Sequence, residues 1–211
     1  MTDVVLEQGR TWTFACAVDW PGWARRGRGD EAALEQLEAY AVRYAAVVPG
    51  FGPGFVPGEL HVVARLPGTP TTDFGAPDAV APGDDLPSDH DVLADRLQDC
   101  WAAFDRVVAA SGPALRKGLR GGGRDRDGIA AHVQEGERTY GRAFGVRVPP
   151  RTPWAEQRAA LDAAIRSGAP GGKWPLRYAV RRTAWHVLDH AWEVQDKQLT
   201  ALARSDGAAP R

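Results

Sequence analysis

Three of the five histidines have the spacing and setting to do chemistry together. His186 and His190 bracket the run His186-Val187-Leu188-Asp189-His190. On a helix, residues four apart are neighbours, with Cβ atoms about 5–6 Å apart. Two imidazoles so placed reach one divalent ion at about 2.0–2.1 Å from each nitrogen. His132 lies three residues after Ile129 in a stretch whose apolar residues recur at helical spacing, so it falls on the inner side of a second helix. Three neutral imidazoles from two helices make a three-ligand face that leaves positions open for water or substrate. A lone histidine on an apolar face is usually a hydrogen-bonded core residue, and that reading stands beside the metal one. The third inward histidine tips the balance toward a metal site.

The neighbours of this set narrow the chemistry. Val187 stands where the HExxH protease motif carries its general base, so peptide hydrolysis by that route is excluded. Glu193, one heptad after His186 on the same strip, is the candidate catalytic residue. It can accept a proton, orient a metal-bound water or form a salt bridge. Asp189 is expected to point away, and Glu135 is a weaker candidate. Arg181 and Arg182 suit an anionic thiol or substrate, but solvated helix charges are the preferred reading. His61 and His90 lack ligand-spaced partners. Cys16 and Cys100 are the only cysteines, too few for a disulfide framework or a thiolate zinc site. Cys100, in an apolar stripe, reads as core packing.

The elements that must position these residues follow from periodicity and breakers. Over 89–204, four amphipathic segments alternate with Gly- and Pro-rich breaks, which argues for a four-helix bundle. The first begins with Asp89 or Ser88 as cap, the second near Asp127, the third at Trp154, and the fourth runs from about Pro175 to Leu202. Breaks fall at Gly112-Pro113, Gly121 to Gly123, Pro149 to Pro153 and Gly168 to Gly172. Residues 1–66 read as a small α/β unit. Thr11 to Val18 is a strand, Asp19 to Gly22 a turn, and Trp23 to Arg28 a short returning strand. Asp30 caps a helix to about Val47, Pro49 to Gly58 breaks it, and Leu60 to Leu66 is another strand. Residues 67–88, rich in Pro, Gly and Asp, read as a surface connection. Trp20 and Trp23 read as core or hinge packing ahead of a pocket wall.

Composition sets the outer limits. The 211 residues are 44% apolar, enough for a real core, and 26 basic against 27 acidic side chains leave a net charge of −1. So even a balance gives no field for nucleic acid or anionic membrane. Nothing approaches the roughly 20 apolar residues of a membrane helix. The start MTDVVLEQGR has no signal-peptide pattern, so a cytoplasmic location is expected. A small-molecule substrate is the expected partner. Bundles with an added α/β unit often pair, so a homodimer is kept open.

The segments RDRDGIAAHVQEGERTYGRAFG, carrying His132, and RRTAWHVLDHAWEVQDK, carrying His186 and His190, resemble the DinB-like superfamily, also called YfiT-like metalloenzymes. The resemblance spans about Ser88 to Leu202. It implies a four-helix bundle with an unusual crossing connection and a three-histidine site for zinc or nickel. Relatives include mycothiol-dependent maleylpyruvate isomerases and bacillithiol or mycothiol S-transferases. The segment FACAVDWPGWARRGRGDEAALEQL resembles the N-terminal half of HicB-like antitoxin folds, through Pro21-Gly22, Gly27 and Glu31-Ala32. The expected fold class is therefore α+β, a DinB-like four-helix bundle with a small N-terminal α/β (HicB-like) unit.

The resemblance implies a metal-dependent thiol S-transferase or related isomerase acting on a small electrophile, with a low-molecular-weight thiol as co-substrate. A free thiol with pKa about 8.5 is mostly protonated at neutral pH, and a divalent cation stabilises its thiolate. A hydrolase needs only a metal-bound water at the same site. The competing class is a non-enzymatic stress-response or interaction protein whose histidines are structural or sense metal.

Overall fold

The computed structural model describes residues 1–47, 55, 57–117, 123–168 and 171–205, with side chains described as far as 198. The breaks expected at Pro49 to Gly58, at Gly121-Gly122 and at 169–170 fall wholly or largely outside the described residues. Among the described residues the fold is mixed α+β, with a four-stranded sheet and seven helices.

Strand β1 (Thr2–Gln8) was not expected, and it is one of the two interior strands of the sheet. The order is β3-β2-β1-β4, where β2 is Thr13–Ala17, β3 is Ala24–Gly27 and β4 is Leu60–Pro67. β1 runs antiparallel to β2 and parallel to β4, so Val4, Val5, Leu6 and Glu7 are all buried. A strand covered on both faces loses the apolar–polar alternation by which strands are recognised. β4, at the sheet edge, alternates cleanly and lies where expected. Its register slips opposite Val4 and Val5, a local bulge.

The turn between β2 and β3 shows why Pro21 and Gly22 are there. Trp23 N–H donates to the Trp20 carbonyl at 3.0 Å, and Gly22 has φ of 91°. Proline at the second position and a left-handed residue at the third make a type II turn. A Cβ on Gly22 would also lie 2.7 Å from Leu188 Cδ1, so the turn seats directly on the last helix.

Helix α1 (Asp30–Ala39) breaks at Tyr40 before a single turn, α2 (Ala41–Ala45), where one continuous helix was expected. Asp30 is not the cap. Its carboxylate accepts from Gln8 Nε2 at 2.8 Å and Arg65 Nε at 3.0 Å, tying α1 to β1 and β4, and Gly29 takes the cap position. Trp23 is fully buried, donates Nε1–H to the Leu37 carbonyl at 2.9 Å and stacks on Tyr44 at 5.7 Å. Trp20 packs edge-on to Phe55 at 4.9 Å. Both tryptophans therefore pack the N-terminal unit.

The connection at 67–88 contains a short helix, α3 (Pro70–Phe74), and is anchored from beneath. Glu7, 2% exposed, accepts from the Thr72 hydroxyl and from the backbone N–H groups of Asp78 and Ala79, the latter two at 2.8 and 2.9 Å. Glu7→Ala should leave these buried donors without an acceptor. We expect a loss of about 3 kcal/mol in urea unfolding and faster proteolysis within 75–88. An unchanged midpoint would show that the anchor is energetically idle.

Four long helices complete the fold: α4 (His90–Ala110), α5 (Arg126–Ala143), α6 (Trp154–Arg166) and α7 (Leu176–Ser205). α7 packs on α4 and α5, and α6 packs on the other sides of the same two, closing a ring. Asp89 caps α4 as expected, accepting from Val92 N–H at 3.1 Å. α5 starts at Arg126, with Asp125 rather than Asp127 in the cap position. The Asp125 carboxylate is engaged by Lys117 at 2.7 Å, and Asp127 pairs with Arg126. Cys100 is fully buried in the core, as its apolar stripe implied. One continuous apolar cluster runs from Leu6, Trp23 and Tyr44 through Leu97 and Phe104 to Ile129, Leu161 and Leu188. Among the described residues, no helix is long and apolar enough to cross a membrane.

One polar group inside the ring was not anticipated. Glu137 is fully buried on α5, accepting from Trp154 Nε1 at 2.6 Å and Arg158 Nη2 at 3.0 Å. Arg158 also holds Asp105 at 2.9 Å, so one guanidinium joins α4, α5 and α6. Burial raises the Glu137 pKa, with Arg158 opposing.

Candidate metal centre

The site forms where α5 and α7 run antiparallel. His132 lies against His190, Gly136 beneath His186, and Tyr140 beside His186 and Arg182, so residue numbers rise on one helix as they fall on the other. Gly136 makes the approach feasible. A Cβ there would lie 2.5 Å from His186 Cε1, so any side chain would push the ring off the helix.

His132, His186 and His190 each offer a ring nitrogen, and these atoms all lie within 4.8 Å of one another. Their ring centroids are 4.7–5.0 Å apart. His132 Nε2 and His186 Nε2 are separated by 3.2 Å. Two nitrogens bound tetrahedrally at about 2.05 Å would sit about 3.3–3.4 Å apart, so this pair already spans one edge of such a site. His190 Nδ1 lies 2.6 Å from Glu193 Oε2, and Lys197 holds the other Glu193 oxygen. A carboxylate on one ring nitrogen fixes the tautomer and leaves the other as ligand, the usual support of a metal-binding histidine. His186 departs from that pattern, because its Nδ1 is buried with no acceptor among the described residues. The donor set, its spacing and the Glu193 support thus fit a divalent ion.

Electrostatics keep His132 and His186 neutral. Burial, reinforced by His190, His132, Arg182 and Arg124, pushes His186 down to about 2. Burial also lowers His132. The His190 hydrogen bond, together with Lys197, holds Glu193 at about 2. Neutral imidazoles are what a cation requires. A pH dependence follows with a definite sign. An unfolded His186 takes up a proton below pH 6.5 while the folded one does not until about 2, so stability is lost as pH falls through that window. Metal-free protein should lose about 1.4 kcal/mol per pH unit below 6.5 from this one group. Glu193 adds to the loss below 4.5. Urea titrations at pH 7.5, 6 and 5 measure this, and a flat profile between 6 and 5 would contradict it.

The other sequence candidates lie elsewhere. Asp189 turns away and pairs with Arg25 on β3 at 2.8 Å. Glu135 pairs with Arg138 along α5. His61 faces Asp3 at the sheet edge, and His90 packs against Gly168. Arg181 and Arg182 are not the solvated helix charges expected. Arg182 is buried and the Arg181 side chain is only 11% exposed, because α7 is covered by the sheet and the 67–88 segment. Arg181 pairs with the fully buried Asp84, whereas Arg182 lies over Tyr140 and Trp185. Sequence reasoning had no account of Gly136's packing role or of Lys197. A glycine on the inner face of an otherwise regular helix was the available signal for the first.

The molecule is thus an α+β protein with a three-histidine group, on two packed helices, that could hold a metal ion. No protein-family model matches the chain, and no curated protein or solved structure matches it.

Proposed function

We propose that the chain is a metal-dependent enzyme of DinB-like type, a thiol S-transferase or related isomerase acting on a small electrophile. The observation that carries this reading is the convergence of three ring nitrogens within 4.8 Å, from two helices, with one ring braced by a carboxylate. His132, His186 and His190 would hold the ion. A divalent cation there would stabilise a thiolate at neutral pH, zinc and nickel being the metals that suit imidazole ligands. Glu193 acts through His190 as a positioning residue, accepting its Nδ1–H and aiming Nε2 at the ligand position. His132 and His190, both half-buried, form the side that a small substrate reaches.

Elemental analysis of protein purified without a histidine tag tests the first half, with about one divalent ion per chain expected. Absence of metal, with no stabilisation by added zinc or nickel, would end the enzyme reading. Thiol-conjugation assays with His132→Ala and His190→Ala test the second half, and unchanged turnover in both would remove catalysis from this site. A non-enzymatic reading draws on the 3.2 Å contact between His132 and His186, which is also hydrogen-bond length. It predicts loss of stability, without loss of metal, in the same variants.

A further inference from the structure

We infer that the substrate of the three-histidine centre carries a carboxylate, and that Arg124 receives it at the open end of the site. The inference rests on the proposed function and adds the charge of its substrate. The antiparallel register that sets Tyr140 by Arg182, Gly136 by His186 and His132 by His190 continues past the histidines. It brings Gly123 to Lys197, whose Nζ lies 3.4 Å from where a Cβ on that glycine would stand. Lys197 in turn holds Glu193, the brace of His190. Arg124 therefore follows directly on a residue that touches the support of the site.

A second glycine decides where the Arg124 side chain lies. A Cβ on Gly128 would meet Arg124 Cβ at 3.3 Å and Cγ at 3.8 Å, so the stem rests over bare backbone there. Gly128 and His132 are four residues apart on α5, on one face and about 6 Å along the axis. Burial, then His190 and Arg124, lower the His132 pKa against Glu193, and Arg124 also acts on His186. This cation is uncommitted: Arg124 is exposed and has no hydrogen bond or ion pair with another described residue. The carboxylates around it are taken, Asp125 by Lys117 at 2.7 Å, Asp127 by Arg126 at 2.8 Å and Glu193 by His190 and Lys197. Glu193 and Lys197 cancel, so the fixed charge left beside the rings is positive, and a divalent ion adds to it. A neutral substrate leaves that charge unbalanced. An anionic one meets the ion at one end and the guanidinium at the other, and a carboxylate matches the guanidinium fork with two oxygens.

The test loads the protein with one equivalent of cobalt(II) and titrates it with 5-mercaptopentanoate or with its neutral amide. Binding is read from the charge-transfer band that a thiolate gives on cobalt, the thiol proton passing to buffer. Both chains are too long to close a favourable chelate ring on the ion. Wild type should bind the acid about fivefold more tightly than the amide at low ionic strength, an advantage that fades in about 0.5 M salt. Arg124→Gln should bind the two alike and keep the wild-type affinity for the amide. Equal affinities in wild type, or a preference for the acid that survives in Arg124→Gln, overturn the inference and leave the proposed function standing. A protein that takes up no cobalt, or shows no thiolate band with either compound, overturns the proposed function and the inference with it.

Discussion

Gly136→Ala is expected to weaken divalent-metal binding by about 10–100-fold while leaving the metal-free fold intact, an effect of the size seen when supporting groups around metal ligands are removed. The alanine Cβ would lie 2.5 Å from His186 Cε1 and 2.9 Å from Nδ1, closer than any ordinary contact. The three atoms nearest that Cβ all belong to the His186 ring, so the side chain rather than the facing backbone has to yield. The ring must swing away instead, and Tyr140, edge-on at 5.4 Å, and Trp185 at 6.3 Å limit where it can go. Nε2 then leaves the 3.2 Å position it holds opposite His132. Alanine favours helix over glycine by about 1 kcal/mol, so α5 itself is not weakened. Competition titration with a chromophoric zinc chelator measures the affinity, and circular dichroism checks the fold. Wild-type affinity in Gly136→Ala would mean that His186 is not a ligand.

The second large effect concerns stability. Asp84→Ala should destabilise the protein by about 3–5 kcal/mol, because it strands the buried Arg181 cation without its carboxylate. Asp84 is fully buried, its Oδ1 accepts from Arg181 Nε at 3.0 Å, and Oδ2 also accepts from Ala81 N–H at 2.7 Å. For a chain of this size the melting temperature should drop by about 10 °C or more. The pair joins the 67–88 segment to α7, so limited proteolysis should find that segment opened first. A double replacement, Arg181→Met with Asp84→Leu, should recover most of the loss, since a buried ion pair is worth little more than matched apolar packing. If Asp84→Ala melts like wild type, the ion pair does not hold the segment to α7.

These two predictions rest on different kinds of information. His186 and His190 were legible as a pair because their relation is local: 3.6 residues per turn places any i, i+4 pair on one face. The same local geometry sent Asp189 outward, where it meets Arg25. Most helices, the edge strand β4 and the Pro21-Gly22 turn were legible for the same reason, since each depends on residues near one another in the chain. β1 was not, because a strand buried on both faces carries no alternation. Nor were the Asp84–Arg181 and Glu137–Arg158 pairs, whose partners are 97 and 21 residues apart. Their charges look solvated until another element covers them.

By itself, then, the sequence determined the two histidines of α7 and the inward placement of His132 on α5. Tertiary structure decided that the three meet, through antiparallel packing of α5 on α7 at Gly136. It also decided that Glu193 braces His190 and that Arg181 is neutralised by Asp84. The physical reason is that helical periodicity fixes direction within one element, whereas separation between elements is set by side-chain volume at the contact, here the absent Cβ of one glycine.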